Sequence, residues 1–207
     1  MTGTASRVVL ATRNEHKVVE IRRILAEAGV VVDLTSVAEF PEVGDVVESG
    51  LTFTENALLK ARAVAAGTGL PALADDSGIT VAAMNGMPGI FSARWAGPGA
   101  GDAANLHLLL AQLQDVPDEH RGAAFVSVAA LVRPDGREFV AEGRVEGRLI
   151  REPRGANGFG YDPIFVPEGE SRTTAELSAA EKDALSHRGR SFRAIAPHVA
   201  AVNDHVH

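Results

Sequence analysis

The chain has 207 residues, 45% of them hydrophobic, which suits one sizeable globular domain or two lobes sharing a core. Lys and Arg number 20 against 27 Asp and Glu, a formal net charge of -7 with no long basic segment, which argues against nucleic acid as a partner. The absence of cysteine excludes disulfides, thiolate metal sites and cysteine nucleophiles, and no stretch approaches the ~20 apolar residues of a membrane span, so a soluble, cytoplasmic protein is expected.

In chain order, "RVVLA" (Arg7 to Ala11) reads as a short buried strand and "TRNEHK" as the polar break after it. Val18, Ile21, Ile24, Leu25 and Ala28 then keep helical spacing, with Gly29 as the stop before the β-branched run "VVVDL". From Thr52 a T-x-x-E capping signal with Glu55 opens a second helix, apolar at Ala57, Leu58, Ala61, Val64 and Ala65 and ending at Gly67. "LPALA" follows as a short strand, "LADDSG" as its end at a Ser-Gly turn, "ITVAAM" as another strand and "NGMPG" as a turn.

Asp102 suits the cap of a helix through "AANLHLLLAQL". "AAFVSVAALV" and "REFVAEGRV" flank "RPDG", a hairpin signal, and Ser178 with Glu181 forms a capping box for a further helix before the closing "SFRAIAPHVAAV". Mixing strand-helix-strand units with a hairpin predicts an α/β fold with an elongated mixed sheet and flanking helices, in a single domain over 1–207. The histidine-bearing tail "VNDHVH" reads as a frayed end.

Four polar clusters interrupt this frame. Thr12 to Lys17 stand where a strand meets a helix N-terminus, a place where free backbone N-H groups and a lysine can hold phosphate; on spacing alone an ordinary polar loop is the better-supported reading. Glu48 precedes the second helix and taken alone is a solvated loop residue. Asp75 and Asp76 face opposite sides if their strand continues through them, so one of them can join Glu48 as the carboxylate pair that holds a Mg²⁺ bridging to phosphate. "GANGFGYDP" presents Phe159 and Tyr161 between glycines, a loop suited to stacking on a flat heterocycle. Lys182, His187 and Arg188 can donate to keto oxygens, although basic residues near a helix end are favourable for dipole reasons alone.

Together "VVLATRNEHK", "ESGLTFTENALLKA", "LADDSG", "GMPGIFSARWAG", "REPRGANGFGYDPIF" and "EKDALSHRG" resemble, in order and approximate spacing, the inosine triphosphate pyrophosphatase family. The resemblance implies Mg²⁺-dependent hydrolysis of non-standard purine nucleoside triphosphates (ITP, dITP, XTP) to the monophosphate and pyrophosphate, cleansing the nucleotide pool. It also implies a homodimer and two lobes around a central nucleotide-binding cleft. By the same resemblance Thr12, Arg13, Asn14, Glu15, His16 and Lys17 bind triphosphate, and Asp76 is the proton acceptor and, with Glu48, a metal ligand. Ser77 touches substrate, Phe159, Gly160, Tyr161 and Asp162 wall the base, and Lys182, His187 and Arg188 read the purine. Arg13 departs from the glycine common at its position, and its guanidinium offers an added grip on phosphate. Two rivals are a catalytically silent nucleotide sensor and a Maf-like pyrophosphatase acting on modified pyrimidines.

Overall fold

A computed structural model describes residues 6–202, the side chain of His16 excepted; the tail from Asn203 onward lies outside the described residues. Among the described residues six strands form one sheet: β1 (Arg7–Leu10), β2 (Asp33–Ser36), β3 (Ala72–Val81), β4 (Gly122–Val132), β5 (Glu138–Leu149) and β6 (Phe165–Pro167). Their spatial order is β2-β1-β3-β4-β5-β6, with β1 parallel to β2 and β3, and β5 antiparallel to β6. Among the described residues five α-helices accompany the sheet: α1 (Glu15–Glu27), α2 (Phe53–Thr68), α3 (Asp102–Gln112), α4 (Ala179–Leu185) and α5 (His187–Ala200). The mixed α/β architecture expected from the element order is present. Among the described residues no helix is long and apolar enough to cross a membrane.

The chain divides into two compact units, the first comprising residues 1–76, 127–143 and 188–207 and the second 77–126 and 144–187. Three of the four boundaries fall inside β3, β4 and β5.

In the first unit the period-2 alternation of β3 sorts side chains to two cores. Leu73 joins Val8, Leu10, Ile21, Ile24 and the α5 residues Phe192 and Ile195, whereas Ala72 and Ala74 join Val9 and the α2 residues Ala57, Ala61 and Val64. Each such fully buried Ile, Leu or Phe contributes roughly 1.5–3 kcal/mol. The Thr52–Glu55 capping box starts α2 as expected, but α2 runs one residue past Gly67 and ends on Gly69, whose φ of 67° makes it the left-handed cap. Gly67 serves packing instead: a Cβ there would come 2.8 Å from a Val43 methyl.

In the second unit Ile79, Val81, Leu106, Leu109, Phe125, Val145, Ile164 and Phe165 form the core. Here the expected break at Ser77-Gly78 gives way to continuous strand: β3 runs ten residues through "DDSG", and only Ala82–Met84 leaves it, as a 3-10 turn. Gly78 is a close-approach residue, because Ser92 Oγ lies 2.4 Å from where its Cβ would stand, and that hydroxyl accepts from Ile79 N at 2.9 Å. Asp102 is the first residue of α3 rather than its cap, which is Gly101. Its carboxylate accepts instead from Gly160 N at 2.8 Å.

The Ser178 capping box opens α4 as expected, but α4 ends at Leu185 and Ser186 intervenes before α5. His187 and Arg188 therefore open α5 instead of closing α4, where a helix dipole opposes a cation.

Candidate functional site

The first unit holds a cavity of about 340 Å³ lined by Thr12, Arg13, Lys17, Glu48, Lys60 and Asp75, among others. Its floor begins where β1 gives way to α1. Asn14 is the cap of α1: its Oδ1 accepts from Lys17 N at 3.3 Å, while Asn14 N donates to Thr12 Oγ1 at 3.1 Å. Ser36 Oγ donates to Thr12 O at 2.8 Å and ties the turn to β2. Glu15 is exposed on the first turn of α1, and the structure does not describe the side chain of His16.

Arg13 does not stand alone over the cavity. Its Nη2 donates to Val43 O at 2.7 Å and its Nε to Asp45 Oδ1 at 3.2 Å, so the guanidinium clasps the loop that carries Glu48.

The two aspartates part as alternation requires. Asp75 faces α1 and α5: Lys17 Nζ lies 3.2 Å from both its oxygens, and Arg188 Nε lies 3.3 Å from Oδ2. Arg188 Nη1 also donates to Glu20 Oε2 at 2.8 Å. Arg188, expected to read the purine, is 2% exposed and paired with two carboxylates. That pairing is what permits a guanidinium at a helix start inside the core. Burial by itself would raise the Asp75 carboxyl, but the charges of Lys17, Arg188 and Lys60 outweigh it and hold the group well below the usual carboxylate range.

Asp76 faces α2. Lys60 Nζ donates to Asp76 Oδ1 at 3.0 Å and to Glu48 Oε1 at 2.9 Å, so one ammonium is shared by the carboxylates that the sequence reading paired for a metal. Asn56, wholly buried, donates to Asp76 Oδ2 at 3.4 Å and accepts from Gly50 N at 2.8 Å. Asn56 thereby ties the Glu48 loop to Asp76. A Cβ on Gly50 would come 2.7 Å from Asn56 Oδ1, so that approach requires glycine.

Burial shifts the Asp76 carboxyl upward; Lys60 opposes this, and the Glu48 and Asp75 charges add to the rise. Burial would lower the Lys60 ammonium, but the surrounding Asp76, Asp75 and Glu48 carboxylates raise it, so it stays charged.

Lys60 and Asn56 escaped the sequence reading. The signal available was their spacing, four residues apart on a helix whose neighbouring positions Ala57, Ala61 and Val64 are apolar and buried. Two polar side chains bordering a buried face need partners, and their partners are the site carboxylates.

In the second unit Asp162, 3% exposed, accepts from Phe159 N at 2.8 Å, from Thr174 Oγ1 at 2.8 Å and from Lys182 Nζ at 2.5 Å. Lys182 Nζ also lies 5.0 Å from the centroid of the Phe159 ring. Gly158, at φ 76°, leaves room for the Asp162 carboxylate, which a Cβ would overlap. Phe159 is 41% exposed and presents an aromatic face. Tyr161, expected beside it as a second stacking surface, is instead 5% exposed in the core, its hydroxyl donating to Ser92 O at 2.8 Å. His187 is buried and stacks on Phe125 with centroids 4.9 Å apart, and Ser77 is half-buried on β3.

The first unit thus offers a cationic, carboxylate-bearing cavity and the second an exposed aromatic face beside a lysine. Taken separately, the cavity of the first unit suits an anion with a cation bridge, and the face in the second unit suits a flat ring.

The chain resembles proteins already known. The chain is 59% identical to a dITP/XTP pyrophosphatase of Streptomyces coelicolor over 93% of this chain and 96% of that protein. It is 58% identical to a dITP/XTP pyrophosphatase of Corynebacterium efficiens over 94% and 97%. Among solved structures, a HAM1 protein from Coxiella burnetii superposes with a TM-score of 0.86 at 43% identity, covering 94% of this chain and 98% of that one. A nucleoside-triphosphatase (dITP/XTP pyrophosphatase) from Mycobacterium abscessus gives 0.76 at 55% identity, covering 92% and 99%. The Ham1 family model matches residues 8–198, and the chain belongs to the Ham1 family.

Proposed function

We propose that this protein hydrolyses dITP, ITP and XTP to the corresponding monophosphate and pyrophosphate, with Mg²⁺ as cofactor. The observation that carries the reading is the shared cation position between Glu48 and Asp76 in a cavity that also presents Lys17. The donor set fits Mg²⁺, which keeps several waters and takes one or two protein carboxylates plus substrate phosphates. When bound, the metal supplies charge neutralisation on the phosphates and a lowered pKa for nearby water.

The chain's own residues supply the rest. The turn from Thr12 to Asn14 and Lys17 receive the triphosphate, and Lys17 is held at the cavity by Asp75. Asp76 accepts the proton of the attacking water as the bond between the α and β phosphates breaks and pyrophosphate leaves. Asn56, which donates to its Oδ2, orients the carboxylate for this. Phe159 stacks on the base, with Lys182 and His187 as donors to keto oxygens. A donor facing the 6-amino group of adenine is mismatched at roughly 1–3 kcal/mol, which disfavours ATP. Arg188, spent on Asp75 and Glu20, acts through Asp75 and not on the base.

The homodimer and the cytoplasmic setting rest on the resemblance to the family, and light scattering on the purified protein tests the first. For the activity, ITP, XTP, dTTP and ATP are incubated with Mg²⁺ and pyrophosphate release is measured. Release from ITP and XTP well above ATP and dTTP is expected. No release from any of them means a nucleotide sensor, and preference for dTTP means a pyrimidine enzyme.

A further inference from the structure

The position of Lys60 raises a question the reaction scheme leaves open. Its side chain is 14% exposed and its ammonium contacts both carboxylates assigned to the metal, at 2.9 Å and 3.0 Å. A carboxylate oxygen that accepts from an ammonium at that distance is poorly placed to ligate a divalent cation at the same time. Moreover a dication brought between Glu48 and Asp76 would stand within a few ångström of a positive charge, at a part-buried site where repulsion is weakly screened.

From this we infer that Lys60 is a built-in counter-cation of the metal site: its ammonium holds the Glu48 and Asp76 carboxylates together in the absence of metal, and metal entry requires it to move away. The inference rests on the metal assignment made above and adds an order to the loading of the site. The charge count supports it. Glu48 and Asp76 carry two negative charges against one on Lys60, whereas Asp75 and Glu20 are already balanced by Lys17 and Arg188. Adding a dication while keeping the Lys60 ammonium in place would leave a net positive site. A triphosphate, which brings several negative charges into the cavity that Lys60 lines, gives the displaced ammonium an acceptor. Metal and nucleotide then strengthen one another's binding, because each relieves the penalty the other meets.

The helix makes such a movement local. Lys60 lies in the middle of α2, and Asn56, one turn earlier, keeps its own bonds to Asp76 and Gly50. The carboxylate framework therefore does not depend on the lysine alone. Displacement changes side-chain torsions on a four-carbon stem and leaves the helix intact.

The test is Mn²⁺ binding to nucleotide-free protein, read by the electron paramagnetic resonance signal of the free ion. Lys60→Met removes the charge and keeps most of the stem; Lys60→Gln also keeps a hydrogen-bond donor and serves if the first variant fails to fold. Both are expected to bind Mn²⁺ about tenfold or more tightly than the wild type, within the usual range of coupling between sites. Adding Asp76→Asn to either is expected to abolish the gain. Equal or weaker binding in the folded Lys60 variants overturns the proposal, as does a gain that survives Asp76→Asn. If Asp76→Asn weakens wild-type binding while the Lys60 variants show no gain, the competition fails and the metal site stands. If Asp76→Asn changes Mn²⁺ binding in no background, the metal assignment itself falls.

Discussion

At residue scale, Asp75 and Asp76 are neighbours in sequence with unlike tasks. Asp75 is a buried charge locked between Lys17 and Arg188, and removing one member of such a network leaves the others uncompensated. Asp75→Asn is expected to destabilise the protein by roughly 3–5 kcal/mol, measured by urea unfolding at neutral pH. Because its folded carboxyl lies below its unfolded value of 3.8, the contribution is complete above that pH and fades as pH falls below it. The acid limb of the stability profile should accordingly flatten in Asp75→Asn. Asp76 is shifted the other way and is assigned the proton. Asp76→Asn is expected to lower kcat by about 10²–10⁴ with a much smaller change in KM; near-normal turnover would remove Asp76 from the mechanism. The adjacency and the strand period made the separation of the two legible. Which cations each would meet was not, since Lys17, Lys60 and Arg188 reach them from three helices.

The helices and strands themselves followed their local signals where those signals are backbone chemistry. Both capping boxes, Thr52 with Glu55 and Ser178 with Glu181, start helices at the expected residue because the bonds concerned lie within four residues. Glycine was harder to read. Gly78 looks like a turn residue in sequence and is a strand residue, because what it makes room for, Ser92, is fourteen positions away. Gly67 was mistaken for a helix stop for the same reason, its neighbour Val43 belonging to the loop before α2. Arg13 raises the matching point for a loop: its side chain joins the α1 entry to the Val43–Glu48 segment instead of extending toward solvent. Arg13→Gly is expected to speed amide hydrogen exchange several-fold across residues 43–48 while leaving the interior of α1 protected. Mass spectrometry of the exchanged peptides reads this directly, and unchanged exchange in that loop would show that the clasp does not order it.

Across the whole molecule, the proposed function assigns different tasks to the two units. The groups proposed to bind phosphate and accept the proton belong to the first, and the exposed Phe159 face with Lys182 belongs to the second. Substitutions in the second unit should change which base is accepted. Phe159→Ala and Lys182→Ala are expected to reduce the ratio of kcat/KM for ITP over ATP, whereas Asp76→Asn lowers both alike; parallel kinetics with the two substrates check it. By itself the sequence determined the α/β class, the two capping-box helix starts, the alternation that parts the aspartates and, through its motifs, the family. All of these are carried by short-range patterns or by residue identity. Only the tertiary structure decided that Arg188 serves Asp75, that Tyr161 is core, that Arg13 holds a loop and that Lys60 stands between Glu48 and Asp76. The physical reason is that a charged or aromatic side chain takes its role from the nearest complementary group. In this fold that group comes from a segment distant in the chain.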